Sequence, residues 1–449
     1  MTEPDFDVAV VGAGPAGSMA AMRLAQRNLS VVLVERGERP GEKNLSGGVL
    51  YPAPLADALP DFPRDPTPEA PWERRVVRHV TSSVRPDSVT SLDYEDAALL
   101  TTTGSAGSTA ALPNAVTVLR ARLDPWLAER AQEAGAFLMP GMRVDSLVTE
   151  PGPDGAPRVT GIRADGQDLR ARVVVAADGV NSFLARGAGL RPDPAPRDLA
   201  VGVKAVLAMP AGRLEDRFGL EPGQGAAHAL VGDVTAGVAG GAFLYTNRES
   251  LSFGVVLRLD ALTRSGRSAH EVFEHALTHP RLRRWLAGAE VIEYGSHLVS
   301  ESGHTGVGQV AFDGLVVAGD AAGLTINSGL VLRGMDLAIT SGLLAGDAVA
   351  EAIEAGDASA TGLHRYAAAL QASTAGADMR TYARTPALFH RPGPYGPWGE
   401  AAERVLRGSF RLDGAPRRPL RHLAVQAVRR SGVGLRTWVG DAAALWRSV

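Results

Sequence analysis

The run DVAVVGAGPAGSMAAMRLAQRNLSVVLVER, residues 7–36, constrains the fold more than any other part of the chain. A short β-rich stretch, Asp7 to Val11, meets Gly12, Gly14 and Gly17 in a G-x-G-x-x-G arrangement. Helical spacing follows from Ser18 to Gln26, and a second strand, Val31 to Val34, ends at Glu35, 18 residues after the third glycine. A lone G-x-G-x-x-G says little, but between a strand and a helix, with an acid at that distance, it marks a dinucleotide site. The first glycine permits the tight turn, the second lets a pyrophosphate approach the backbone, and the third lets helix and strand close up. Free N–H groups and the helix dipole face the anion. Glu35 is placed to accept from the adenosine ribose hydroxyls, with Ala16 and Arg36 beside these groups in the expected cofactor set. The alternative is a helix–strand packing turn that holds nothing.

Composition narrows the remaining choices. At 449 residues, 45% hydrophobic and 21% charged, the chain can build two or three units with a sizeable core. A net charge of −3 gives no case for nucleic acid. With no cysteine there is no disulfide, no thiol catalysis and no iron–sulfur cluster on the chain's own thiolates, and no metal site is expected. Lysine occurs only at Lys43 and Lys204 amid many arginines, which reads as genomic composition bias. The acidic N-terminus, MTEPDFDVAV, runs straight into a strand, so no secretory signal is expected. The most apolar run, Gly314 to Ala350, is interrupted by Asp320, Arg333, Asp336 and Asp347, which argues against a spanning helix.

Two later segments bear on which dinucleotide binds. ARVVVAADGVNSFLAR (171–186) is a buried strand running into Asp178-Gly179, and FDGLVVAGDAAGLTINSGLVLRGMDLAITSGLLAGDAV (312–349) is a strand, a glycine-containing loop and a long helix. Either alone could be an ordinary strand–helix junction. In this order, roughly 140 residues apart, they resemble the later fingerprints of FAD-dependent oxidoreductases of the aromatic-hydroxylase type. The resemblance implies FAD, with Gly319 and Asp320 at the ribityl chain. It also implies a helix N-terminus near Gly334-Met335 aimed at the flavin N1–C2=O edge, where the dipole favours the anionic reduced ring. In VLRARLDPWLAERAQEAGA (118–136), Arg120 opens R-x-x-L-D and by the same resemblance reaches FAD; otherwise it is solvated on an amphipathic surface helix. Val144 is expected near the adenine.

The stretch GEKNLSGGVLYP (41–52) does not look like core. Adjacent glycines let a backbone approach something flat, or turn through φ > 0. With PGEKNLSGGVLY, GGAFLYTNRESLSFGVVLRL (240–259), GDAAGLTINSGLVLRGMDLAITSG and DMRTYARTPALFHRP (378–392), the chain resembles the FixC-type flavoproteins, relatives of electron-transfer flavoprotein:quinone oxidoreductase, over nearly its whole length. The resemblance implies that Lys43, Asn44, Ser46 and Gly47 run along the flavin. It also implies that the Gly240 and Gly241 N–H groups meet a quinone carbonyl beside an apolar wall of Phe243 and Tyr245. The plainer reading is a hairpin, strands 242–246 and 251–257, with the aromatics as packing; the two are compatible. The fused quinone oxidoreductases carry a ferredoxin-like [4Fe–4S] domain that a cysteine-free chain cannot hold. The FixC pattern therefore implies a separate ferredoxin-like subunit and an electron-transfer-flavoprotein pair as donor.

The expected architecture is α/β plus β: a Rossmann-type FAD-binding domain of the aromatic-hydroxylase (glutathione-reductase-2) type, an inserted β-sheet quinone domain, and a helical C-terminal region. Boundaries are expected at 1–82, 113–190 and 300–355 for the cofactor unit, 83–112 and 191–299 for the β-rich unit, and 356–449 for the basic helical tail. From Arg404 onward ten arginines face Asp413 and Asp441. Leu420, Leu423, Ala424, Ala427 and Val428 follow helical spacing, with Arg421, His422, Arg429 and Arg430 opposite. Such a helix, with Trp438 and Trp446 nearby, can lie on anionic lipid, dock a partner, or rest on the body. A cytoplasmic protein, peripheral on the inner face of the cell membrane, is expected. No second G-x-G-x-x-G follows a strand, so a nicotinamide domain is not expected. The alternative activity is an isoprenoid reductase or an NAD(P)H-dependent monooxygenase or halogenase of the same fold.

Overall fold

A computed structural model describes residues 3–44, 47–103, 111–152, 155, 157–414 and 416–448. The opening segment forms a strand, Phe6–Val11, a helix, Pro15–Gln26, and a strand, Val31–Val34. Both strands are nearly all Val and Ala and end fully buried, as central parallel strands covered on both faces must be. Strands Phe137–Met139, Val31–Val34, Phe6–Val11, Gln167–Ala176 and Leu315–Val317 lie side by side in parallel. The first half of Gln167–Ala176 also pairs antiparallel in a meander with Pro157–Ala164 and Val144–Pro151.

The helix Met335–Glu354 lies across Pro15–Gln26 at very short range. A side chain at Gly342 would come within 2.1 Å of the Ala16 carbonyl oxygen, and one at Gly346 within 2.6 Å of the Arg23 Cβ. Small residues there let the two helix backbones touch.

The second sheet has nine strands. Its order is Glu290–Ser300, Leu199–Ala208, Ser250–Arg258, Gly240–Thr246, Gln224–Gly232, Arg75–Val84, Val116–Leu119 and Gly47–Leu50, with Val89–Glu95 beside Arg75–Val84. This membership differs from the expected boundaries. The break placed at 82/83 falls inside the strand Arg75–Val84, and Gly47–Leu50 and Val116–Leu119, assigned to the cofactor unit, belong to the large sheet. The cause is pairing between strands far apart in sequence, such as Gly48 with Val118, which no local pattern encodes. The hairpin reading, strands 242–246 and 251–257, matches the observed antiparallel pair Gly240–Thr246 and Ser250–Arg258. Its partner ladder to Gln224–Gly232 stops at Leu230–Ala242, so Gly240 and Gly241 are paired on one edge.

The tail forms helices Pro397–Phe410, Leu420–Arg430 and Leu435–Ser448. Ala427 is buried and Leu423 lies against Gly408 of the preceding tail helix, so part of the expected apolar stripe packs within the tail. Leu420 of that stripe is open, as are Phe410, Leu412 and Trp446 elsewhere in the tail: all four are more than half exposed. Asp441 anchors the last helix. Its carboxylate is buried and accepts from Arg391 Nη1 at 2.8 Å and Trp398 Nε1 at 3.3 Å. Asp441→Ala leaves the indole N–H without its acceptor, at a cost of about 1–3 kcal/mol. Deuterium exchange over 435–448 is expected to accelerate in that variant while FAD content stays unchanged. Exchange as slow as in the parent would show that other contacts hold the helix.

Candidate functional site

A cavity of about 720 Å³ runs between the two sheets, within the rough 300–1,000 Å³ span of ligand clefts. One end lies where the first two parallel strands stop. There Gly12, Gly14 and Ala16 line it, and the helix Pro15–Gln26 points its N-terminus inward with Gly14 as N-cap. Gly14 is the open point of this turn: a Cβ there would meet nothing closer than Arg120 Nη2, at 3.4 Å. Glu35 ends its strand in the cavity wall, its carboxylate accepting from Ala13 N at 2.9 Å and Gly37 N at 2.8 Å. Those two bonds hold the carboxylate at the strand end, the position a ribose-binding acid requires. Arg36 and Val144 line the same end.

Gly17 and Gly319 do not line the cavity; each serves packing. A side chain at Gly17 would lie 1.9 Å from the Gly12 carbonyl oxygen. Gly319 has φ +64° and would bring a Cβ within 2.8 Å of the Ala16 Cβ.

Midway along the cavity, Arg120 is gripped by Asp124 through two hydrogen bonds, 2.6 and 2.7 Å, and Asp124 is fully buried. Burial pushes the Asp124 carboxyl up, against the pull of Arg120. The solvated-surface alternative for Arg120 therefore fails: its guanidinium faces the cavity and is held in orientation. Asp320 lies in the same wall, and burial raises its pKa against Arg120, His297 and Lys204.

At the far end Gly334 and Met335 bring the N-terminus of the long helix to the cavity, and Lys43, Asn44, Gly47 and Gly48 form the opposite rim. Ser46 lies outside the described residues. The two glycines are in a strand and not in a left-handed turn. A Cβ at Gly47 would lie 1.8 Å from the Val118 carbonyl oxygen, and one at Gly48 3.0 Å from Met335 Cε. The close approach that Gly47 permits is thus to the neighbouring strand.

Phe243 and Tyr245 stack at 4.9 Å between ring centroids and stand in the wall between this cavity and a second one of about 140 Å³. The second cavity is lined by Gly240 and Gly241, by apolar side chains, and by polar ones that include His79, His228, Asn327, Glu301, Arg258 and Tyr395. A Cβ at Gly240 would lie 2.2 Å from the Val256 carbonyl oxygen, so this glycine also serves the sheet.

Several site residues escaped the sequence reading. Lys204 faces the large cavity from the strand Leu199–Ala208, and burial brings its ammonium down to about 8. One of two lysines in the chain, set in the otherwise apolar VGVKAVLA, was the signal that could have marked it. His297, Arg333 and Glu301 carried no comparable mark. Arg333 bridges Asp336 at 2.8 Å and Asp378 at 2.5 Å beneath the Tyr51 ring. Elsewhere, Asp233, His275 and His279 converge, but as hydrogen-bond partners. His279 Nδ1 accepts the Arg281 amide at 3.2 Å, which leaves its Nε2 proton for Asp233 at 3.1 Å.

The long cavity suits FAD: an open glycine turn at a helix N-terminus, an acid at the second strand's end, and a second helix N-terminus at the far end. The comparisons agree. The family described as "FAD dependent oxidoreductase" matches residues 7–85. The chain is 37% identical over 435 residues to YdiS of Escherichia coli K12, described as a probable electron transfer flavoprotein-quinone oxidoreductase, covering 96% of this chain and 97% of that one. It is 38% identical over 415 residues to protein FixC of the same organism, covering 92% of each. Among solved structures, it is similar to a geranylgeranyl bacteriochlorophyll reductase-like protein of Thermoplasma acidophilum, with a TM-score of 0.65, 20% identity and coverage of 98% and 96%. It is also similar to the flavin-dependent brominase Bmp2, with a TM-score of 0.61, 15% identity and 98% of each chain covered. At such identities the two structures show the fold alone, and that fold is the expected hydroxylase-type flavoprotein architecture.

Proposed function

Because the chain belongs to the family of FixC and the electron transfer flavoprotein-quinone oxidoreductases, we propose that it passes electrons from an electron-transfer flavoprotein to a membrane quinone. The chain is an FAD-dependent oxidoreductase. Bound FAD supplies the electron-carrying chemistry; the protein supplies position, exclusion of water and protons. Gly12, Gly14 and the helix N-terminus behind Ala16 take the diphosphate. Glu35 takes the ribose, Val144 packs on the adenine, and Arg36 closes that end. Arg120, oriented by Asp124, and Asp320 flank the ribityl chain. Lys43, Asn44 and Gly47, with Gly334 and Met335 opposite, border the isoalloxazine.

The observation that carries the quinone reading is the second cavity. It adjoins the first across Phe243 and Tyr245 and is largely apolar, and the one-edge-paired Gly240–Gly241 backbone lies in its wall. A flat, apolar acceptor with carbonyl oxygens matches that chemistry. Since the chain has no cysteine, the iron–sulfur step falls to a ferredoxin-like [4Fe–4S] subunit. Among the described residues no helix is long and apolar enough to cross a membrane. The exposed Phe410, Leu412, Leu420 and Trp446, set among arginines, support a peripheral site on anionic lipid at the inner face of the cell membrane.

The test is anaerobic: photoreduce the flavin, add a short-chain quinone and follow reoxidation by absorbance. Rapid, saturable reoxidation is expected without any partner subunit. A flavin that stays reduced would end the quinone reading and favour an NAD(P)H-linked reductase or hydroxylase of the same fold.

A further inference from the structure

Glu301 follows the strand Glu290–Ser300 and borders two cavities at once. On one side is the 140 Å³ cavity that also holds Gly240 and Gly241. On the other is a narrow space of about 10 Å³ lined by Asn327, Tyr382 and His304, of which His304 is exposed. A carboxyl in an apolar wall normally has a cation against it, and here Arg258 is near. Its guanidinium is committed elsewhere: Asp260 takes it at 3.0 and 2.6 Å, and the Phe389 carbonyl oxygen at 2.9 Å. The hydrogen bond described for the Glu301 side chain is a long one, 3.5 Å, from Asn327 Nδ2. The phenol of Tyr395, across the same cavity, stays neutral because burial and then the Glu301 charge push its pKa up. The groups facing Glu301 are therefore Arg258 at the end of its strand with Asp260 on the helix that follows, Asn327 from the short strand Ile326–Asn327, Tyr382 and Tyr395 from the C-terminal segment, and His304 from its own loop. None compensates the carboxylate fully, and burial brings the Glu301 pKa up to about 7.

We propose that Glu301 is the acid that protonates a carbonyl oxygen of the quinone seated in the second cavity. The proposal rests on the quinone reading above. A quinone needs two electrons and two protons to become a quinol, and reduced FAD, held as the monoanion that the helix N-terminus at Gly334–Met335 would favour, would supply two electrons and one proton. Glu301 supplies the second proton: its O–H bond breaks, an O–H bond forms on the quinone oxygen, and the carboxylate is reprotonated from solvent on the His304 side. A positioned acid of this kind contributes roughly 10²–10⁴-fold.

The experiment compares the FAD-loaded parent with Glu301→Gln and Glu301→Asp in three measurements. Infrared titration of the oxidised protein is expected to show a carboxyl stretching band that disappears near pH 7 and is absent from Glu301→Gln. A short-chain quinone titrated against the oxidised flavin's fluorescence is expected to bind all three proteins alike. Single-turnover reoxidation in the parent is expected to fall tenfold per pH unit above about 7, because only the protonated acid serves. In Glu301→Gln it should be about 100-fold slower at pH 6 and flat with pH, with partial recovery in Glu301→Asp. Intact binding with an unchanged rate and pH profile in Glu301→Gln, or the absence of a titrating band in the parent, would overturn the role of Glu301 alone. Failure of the parent to bind quinone would overturn the quinone reading, and the proposal with it.

Discussion

Gly14→Val is expected to give a folded protein that does not retain FAD, whereas Gly17→Ala is expected to damage the fold itself. The two positions are three residues apart in one motif, and the difference is geometric. A side chain at Gly14 enters the passage between the helix N-terminus and Arg120, where a diphosphate would lie, and meets no backbone atom on the way. A loss of at least 100-fold in FAD affinity, about 2.7 kcal/mol, is expected. At Gly17 the added methyl carbon would sit 1.9 Å from the Gly12 carbonyl oxygen. Helix and strand would have to separate, at a cost of about 3 kcal/mol or more. The absorbance ratio of flavin to protein, read beside thermal unfolding by circular dichroism, separates the two effects. Stoichiometric FAD in purified Gly14→Val would show that the diphosphate runs elsewhere.

The second large effect concerns Asp124. Its carboxylate is wholly buried, and it is the partner that holds the Arg120 guanidinium. Asp124→Ala strands that guanidinium in the cavity wall, which typically costs about 3–5 kcal/mol. Removing both charges, as Arg120→Met with Asp124→Leu, is expected to cost less than the single change, because no charge is left without its partner. Urea unfolding at fixed FAD concentration measures both. If the double variant proves as unstable as the single one, the damage comes from lost packing and not from an orphaned charge.

The second pair of glycines shows how far a local reading reaches. Gly47-Gly48 invites two explanations, a flat ligand or a left-handed turn, and both are local. The structure uses Gly47 for neither: the space belongs to Val118, some 70 residues away, through a strand pairing that neither segment announces. Arg120 is a milder case. R-x-x-L-D placed the arginine and the aspartate one helical turn apart, which is why they pair, but only the burial of that helix face turned a surface ion pair into a fixed cavity wall.

The sequence by itself determined the elements whose physics is short-ranged. These are the strand–turn–helix around Gly12, Gly14 and Gly17, the acid ending the second strand, the long helix after Asp320 and the arginine-rich tail. In each, spacing within about thirty residues sets the hydrogen bonds, the dipole and the charge. Only the tertiary structure decided which strands share the large sheet, that Lys204 and His297 face one cavity, and that Glu301 lies between two others with its nearest arginine already taken. Those outcomes depend on how much water each group loses and which charges remain beside it. Both quantities are set by chain segments tens of residues to more than a hundred residues distant, so no short window of sequence contains them.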